Sequence, residues 1–337
     1  MKAYQLQAYN SLDALQLIDL PEPRVGGNDV LVKIRANSIN YRELIILRRG
    51  YDRNKKLPVI PASDGVGEVV DIGENVTTWQ KGDRVASIFF QDWTSGRATE
   101  TQMNKALGGG IDGTLAEYVV FPEHGLVKIP EHLSYEEAAT LPCAALTAWN
   151  SLSTGGLIPG QTVLTLGTGG VSIFALQFAK LFGAKVIITS SSDEKLDRAI
   201  ALGADATINY QTHPEWQDKV RYLTNGRGVD QVVEVGGAGT FERSLASACL
   251  GGYIGVIGVL SGFGAANFTP ATAFFNQLRI QGIYVGNRQM FEEMNAAISL
   301  HRLKPIVEQV VPFSEAKKAY ELLESSKHFG KIVISHT

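Results

Sequence analysis

The chain has 337 residues, 45% hydrophobic and 19% charged, with a net charge of −3, so it can bury a large core and suggests two domains more readily than one. That balance gives no basic field for nucleic acid, and Lys and Arg are scattered. Only Cys143 and Cys249 are present, which excludes a disulfide framework or a four-cysteine zinc lobe; with no signal-peptide core at the start and no bilayer-spanning run, a cytoplasmic location off the membrane is expected.

Residues 1 to about 125 carry short β-like runs between turn residues: Leu31 to Ile34, Gly67 to Asp71, Arg84 to Phe90 and Leu115 to Phe121. Pro21-Glu22-Pro23 and Gly26-Gly27-Asn28-Asp29 punctuate them, and the region reads as a compact β-barrel-like unit. Phe89, Phe90 and Trp93 offer an apolar wall for a flat ligand, although aromatics at that density commonly form core. Gln91 to Ile111, polar and glycine-rich at its end, reads as a loop able to cover a cleft. From Ser134 the texture changes: Ser134 and Glu137 form a capping box, and Ala138 to Leu152 is helix-compatible.

Val163 to Leu166 then suits a buried parallel strand, Gly167-Thr168-Gly169-Gly170-Val171-Ser172 a tight turn, and Ile173 to Leu181 a helix. Strand, glycine turn and helix together form a seat for a dinucleotide diphosphate, because glycines admit close approach and the helix offers unpaired N–H groups and a positive dipole end. Ser172 stands where the third glycine of G-x-G-x-x-G belongs. Beyond it, strands at Lys185 to Thr189, Ala206 to Ile208, Gln231 to Val235, Tyr253 to Val259 and Arg279 to Val285 alternate with helices from about Asp193, Glu215 and Phe241. This is the pattern of a doubly wound parallel sheet of six strands. After Gly286 come helices at Phe291 to Leu300 and Glu315 to Leu323 and a strand at Lys331 to Ile334, expected to return to the first domain. No repeat or low-complexity segment is present.

Where an NAD-binding unit places an acid, roughly 20 residues past the first glycine, this chain has Ser190 and Ser191. A hydroxyl tolerates a ribose 2′-phosphate, and Lys195, one helical turn on, supplies positive charge, so NADPH is favoured over NADH. The serine run also suits a helix cap, which is compatible with that role. Asp193 is an acid close to the same phosphate.

Several stretches occur in an order that resembles the medium-chain dehydrogenase/reductase superfamily, zinc-independent quinone oxidoreductase branch, over essentially the whole chain. They are Ala36-Asn37-Ser38-Ile39-Asn40-Tyr41-Arg42, Pro61-Ala62-Ser63-Asp64-Gly65-Val66-Gly67, Lys81-Gly82-Asp83-Arg84-Val85, Asp112-Gly113-Thr114-Leu115-Ala116-Glu117-Tyr118, Leu141-Pro142-Cys143-Ala144-Ala145, the glycine turn, and His328-Phe329-Gly330-Lys331. The resemblance implies an α/β protein with a GroES-like β-barrel substrate domain at 1–125, a Rossmann doubly wound parallel sheet binding NADPH at 126–285, and a C-terminal return to the first domain at 286–337.

By the same resemblance, the zinc ligands of the family's alcohol dehydrogenases fall at Asn40, Ser63 and Cys143, with Asp64 beside Ser63. One thiol and weak oxygen donors do not make a three-ligand catalytic site, so no metal is expected, and Cys143 reads as a core thiol. Without a Lewis acid, hydride transfer to a quinone or an α,β-unsaturated carbonyl is favoured, since hydrogen-bond donors alone stabilise the enolate or phenolate that forms. Asn40 and Tyr41 are the expected catalytic residues. The resemblance further implies Thr147 near the nicotinamide; Gly167, Gly169, Gly170, Val171 and Lys331 at the diphosphate; Tyr210 near the adenine ribose phosphate; and Val235, Gly236, Ile257, Gly258 and Val259 along the cofactor groove. The alternatives are a cofactor-binding protein without turnover, structural or RNA-binding, and, more remotely, a zinc alcohol dehydrogenase. A homodimer through the sixth Rossmann strand is expected, because that apolar edge would otherwise lie open.

Overall fold

The computed structural model describes residues 1–48, 57–262, 264 and 268–336. The chain divides into two compact units, Met1–Leu146 with Val285–Thr337, and Thr147–Tyr284.

The first unit opens with an antiparallel pair, β1 (Lys2–Leu6) and β2 (Leu15–Asp19). Its main sheet is built on the long strand β3 (Asp29–Ile39), followed by helix α1 (Tyr41–Leu47) and strands β4 (Asp64–Ile72), β5 (Arg84–Ser87), β6 (Tyr118–Pro122) and β7 (Leu126–Lys128). β3 is buried along most of its length because it pairs with β4 and β6 and, at its far end, with a strand from the C-terminus.

Residues 91–111 hold more structure than their polarity suggested. Thr99 caps the short helix α2 (Glu100–Met103), and Phe90 bridges to Ala106. Phe89 and Phe90 are fully buried and Trp93 nearly so, so these aromatics are core and form no open wall.

The helical stretch after the Ser134 capping box is broken into α3 (Tyr135–Ala138), a π-helical turn at Leu141–Ala145, and α4 (Leu146–Thr154). Pro142 lies in that turn; lacking an N–H, it cannot continue an α-helical ladder.

The second unit is a six-stranded parallel sheet. In chain order come β8 (Thr162–Leu166), α5 (Gly170–Leu181), β9 (Lys185–Ser190), α6 (Asp193–Ala201), β10 (Ala206–Asn209), α7 (Trp216–Leu223), β11 (Val229–Glu234), α8 (Phe241–Ser247), β12 (Ala248–Val256), α9 (Pro270–Phe275) and β13 (Arg279–Gly282). They pair in the spatial order β10-β9-β8-β11-β12-β13. That is the doubly wound dinucleotide order, whose reversal between β8 and β11 opens a crevice at the carboxyl ends of the strands. Val163, Leu164, Val186, Ile188 and Val232 are buried to completion, which is why these strands read as continuous apolar runs.

The chain then continues through α10 (Arg288–His301), β14 (Val307–Pro312), α11 (Ala316–Ser325) and β15 (Lys331–Ser335). β14, absent from the sequence reading, pairs in parallel with β15, and β15 runs antiparallel to β3. Val311, Ala319, Leu323, Ile332 and Ile334 share one core with Tyr4, Leu15, Ile39 and Leu44. Among the described residues, no helix is long and apolar enough to cross a membrane.

Candidate active site

In the second unit, the glycine turn joins β8 to α5. Gly167 has φ +73, a left-handed conformation that disfavours any side chain, and a Cβ there would meet nothing. Gly169 is the N-cap of α5 at φ −78, and a Cβ on it would likewise meet nothing within 4 Å. The fold therefore does not require glycine at 169, whereas a ligand seated on the turn would. Gly170, Val171 and Ser172 begin the helix, where the first N–H groups lack carbonyl partners from a preceding turn. Ser172, the departure from the glycine pattern, is buried, and its Oγ donates to the Leu166 carbonyl at 2.6 Å, so the hydroxyl ties helix to strand. This open, glycine-lined helix start fits a dinucleotide diphosphate.

The ends of β9 and β10 lie side by side. Ser190 pairs with Asn209, and the Tyr210 N–H donates to the Ser190 carbonyl at 3.0 Å. Ser190 is buried, Ser191 and Tyr210 are exposed, and Lys195 is half-buried in the first turn of α6. Ser192 caps that helix, accepting from the Lys195 N–H. Asp193 accepts from Asn209 Nδ2 at 2.7 Å, which turns this acid to an internal partner.

Val235 and Gly236 follow β11, and Ile257, Gly258 and Val259 follow β12; the Ile257 and Gly258 N–H groups both donate to the Glu234 carbonyl. The sequence reading missed Glu234. Fully buried, its carboxylate accepts from the N–H groups of Gly236 and Gly237 and from the hydroxyls of Thr240 and Ser244, so it shapes the loop after β11. An acid at the end of an apolar strand was the available signal. Thr147 is buried in the first turn of α4.

The first unit holds the second group, built by strand register. Ser38 of β3 lies opposite Asp64 of β4, and Ile39 lies opposite Ile332 of β15. Asn40, Asp64 and Lys331 therefore converge at one end of three strands. Asp64, fully buried, accepts from Ser38 Oγ at 2.8 Å, Ser63 Oγ at 2.7 Å and Asn40 Nδ2 at 2.9 Å. Lys331 Nζ donates to the Ile39 carbonyl at 2.7 Å and to Asn40 Oδ1 at 2.6 Å, and lies 3.9 Å from Asp64 Oδ2.

Lys331, expected at the diphosphate, is held by these contacts within the first unit. Its ammonium is 3% exposed and engaged by the first unit's own oxygens, because the pairing of β15 with β3 turns it toward a buried carboxylate that needs a counter-charge.

Beside this cluster, Glu43 accepts the Asn40 N–H at 2.7 Å, capping α1, and pairs with Arg42 at 2.9 Å. Burial pushes the Glu43 carboxyl above its usual range, opposed mainly by Arg42. Arg42 lies over the Phe89 ring at 4.6 Å. Tyr41, half-exposed, begins the same helix.

The positions where zinc would sit do not fit that metal. The Asn40 amide and the Ser63 hydroxyl are both directed at Asp64. Burial, reinforced by Asp64, pushes the Cys143 thiol up, away from the thiolate that binds metals. Among the described residues, no three His, Cys, Asp or Glu side chains converge to hold an ion.

Two family models match the chain: an alcohol dehydrogenase GroES-like domain over residues 26–131 and a zinc-binding dehydrogenase over residues 170–300. The chain is 45% identical over 320 residues to a zinc-type alcohol dehydrogenase-like protein of Schizosaccharomyces pombe, covering 92% of each. It is 29% identical over 342 residues to an acryloyl-coenzyme A reductase of Metallosphaera sedula, covering 99% of this chain and all of the relative. A solved structure assigned as an alcohol dehydrogenase from Sinorhizobium meliloti superposes with a TM-score of 0.92 at 40% identity, over 99% of this chain and 98% of the other. The chain belongs to the medium-chain dehydrogenase/reductase superfamily, an oxidoreductase family that uses nicotinamide dinucleotides.

Proposed function

We propose that the protein is a zinc-independent, NADPH-dependent reductase of quinones or of double bonds conjugated to a carbonyl. The observation that carries this reading is the cluster around Asp64, where the family's metal positions hold an amide, a hydroxyl and a disfavoured thiolate, with the Lys331 ammonium beside them. Such a site offers hydrogen-bond donors in place of a Lewis acid. Donors suffice where charge spreads over an enolate or phenolate, and serve poorly for the concentrated charge of an alkoxide. A bound nicotinamide would supply the hydride. The glycine turn and the start of α5 hold the diphosphate; Ser190, Ser191, Lys195 and Tyr210 receive the 2′-phosphate; Thr147, Val235, Gly236, Ile257, Gly258 and Val259 line the rest of the cofactor. Asn40 donates to the acceptor's oxygen, and Tyr41 or solvent supplies the proton. The similarity to the acryloyl-coenzyme A reductase of Metallosphaera sedula supports the acceptor class, since an acryloyl group is a double bond conjugated to a carbonyl.

We further propose a homodimer through the edge strand β13, all four residues of which are exposed, as are Phe274 and Phe275 before it.

The test is oxidation of NADPH and NADH against benzoquinone, an enal, a saturated aldehyde and, in reverse, an alcohol. Turnover of benzoquinone or the enal with NADPH is expected. Turnover of the saturated pair alone contradicts the reading, and tight NADPH binding with no turnover points to a binding protein.

A further inference from the structure

We infer that Lys331 is a positioning residue for the Asn40 amide, fixing its flip and polarising it so that its second Nδ2 hydrogen meets the oxygen charge that develops on the acceptor. This rests on the activity proposed above. The two ends of the amide are held by opposite charges: Oδ1 accepts from Lys331 Nζ at 2.6 Å, and Nδ2 donates to Asp64 Oδ2 at 2.9 Å. A flipped amide would set its NH2 against an ammonium and its oxygen against a carboxylate. Both contacts would then be repulsive, so one orientation is locked. Lys331 cannot drift, since a second hydrogen goes to the Ile39 carbonyl and the side chain is buried. Asp64 is fixed in turn by the hydroxyls of Ser38 and Ser63.

Among the described residues, the second Nδ2 hydrogen has no partner, and Asn40 is only half-buried. A cation on Oδ1 draws electron density from the nitrogen and strengthens that remaining donor, as in any chain of polarised hydrogen bonds. Lys331 and Asp64 thus act on the acceptor only through Asn40.

A double-mutant cycle separates this role from direct binding of the diphosphate. Affinity for NADPH and kcat with an enone at saturation are measured for wild type, Lys331→Met, Asn40→Ala and the double variant. Lys331→Met is expected to lower kcat by about tenfold or more, to leave NADPH affinity within about twofold, and to add under about twofold when residue 40 is already Ala. A tenfold loss of NADPH affinity with kcat retained overturns the inference, as do independent, multiplying losses in kcat.

A second measurement needs neither an acceptor nor a Lys331 variant. In nitrogen NMR of isotope-labelled wild type, the Asn40 side-chain signal, identified by its loss in Asn40→Ala, is expected to show one slowly and one rapidly exchanging hydrogen. Two rapidly exchanging hydrogens overturn the inference. Failure of every acceptor to turn over, with this signal as expected, refutes the proposed activity and leaves the locked amide standing.

Discussion

Gly167 and Gly169 stand two positions apart and are glycine for different reasons. At 167 the backbone is left-handed, so Gly167→Ala is expected to cost about 1–2 kcal/mol, read as a lowered denaturation midpoint. At 169 the backbone suits any residue and the space in front is open. Gly169→Ala should therefore leave the midpoint nearly unchanged while weakening NADPH binding, measured by titration; unchanged affinity would place the diphosphate elsewhere. Residue chemistry also governs cofactor choice. Asp193 is bonded to Asn209, and Lys195 lies in the first turn of α6, just past the end of β9; Lys195→Ala should lower the NADPH:NADH preference by roughly tenfold in the ratio of kcat/KM values.

Among the elements, three strand ends and one helix cap make the cluster around Asp64. Glu43 holds the Asn40 N–H and the Arg42 guanidinium together in a buried setting. Glu43→Gln is expected to destabilise the fold by about 3–5 kcal/mol, because it leaves Arg42 without its buried carboxylate; a loss below about 1 kcal/mol in denaturant unfolding would count against that account. The glycine turn and the alternation of strand and helix were legible because each is a local pattern. So was the departure at 40 and 63 from metal ligands, since residue type alone disqualifies them. The placement of Lys331 was not legible, because its partner Ile39 lies 292 positions away in the chain and only the register of β15 on β3 brings them together. The broken helix after Ser134 was marked in advance by Pro142, whose effect the alanine-rich run around it masked.

For the molecule as a whole, association and pH response follow from what is exposed and what is buried. Ile280→Lys on the exposed edge of β13 should shift the protein from about twice the 36.5 kDa chain mass to the chain mass in light scattering; a wild type already monomeric at micromolar concentration would refute the dimer. His336 Nε2 lies 2.7 Å from Asn37 Oδ1. Asn37 Nδ2 is committed to Asp64 and Thr114, so the imidazole is the donor in this pair. Burial lowers its pKa to about 3, below the roughly 6.5 of an unfolded chain. The unfolded state therefore takes up this proton first: the contribution to stability is full above about pH 6.5 and is lost as pH falls toward 3, at up to about 1.4 kcal/mol per pH unit. His336→Gln should flatten melting temperature against pH in that window. An unchanged slope would assign the acid sensitivity to other groups.

The proposed chemistry is hydride delivery to a conjugated acceptor without a metal, at a site whose Asn40 donor is set by Asp64 and Lys331. Its most direct test is the rate of NADPH oxidation by an enone and by the matching saturated ketone, using protein treated with chelator and shown to be metal-free by elemental analysis. The enone is expected to be reduced at the rate of untreated enzyme, and the saturated ketone not to be reduced. Enone reduction that disappears with the metal and returns with added zinc, or preference for the saturated ketone, would contradict it.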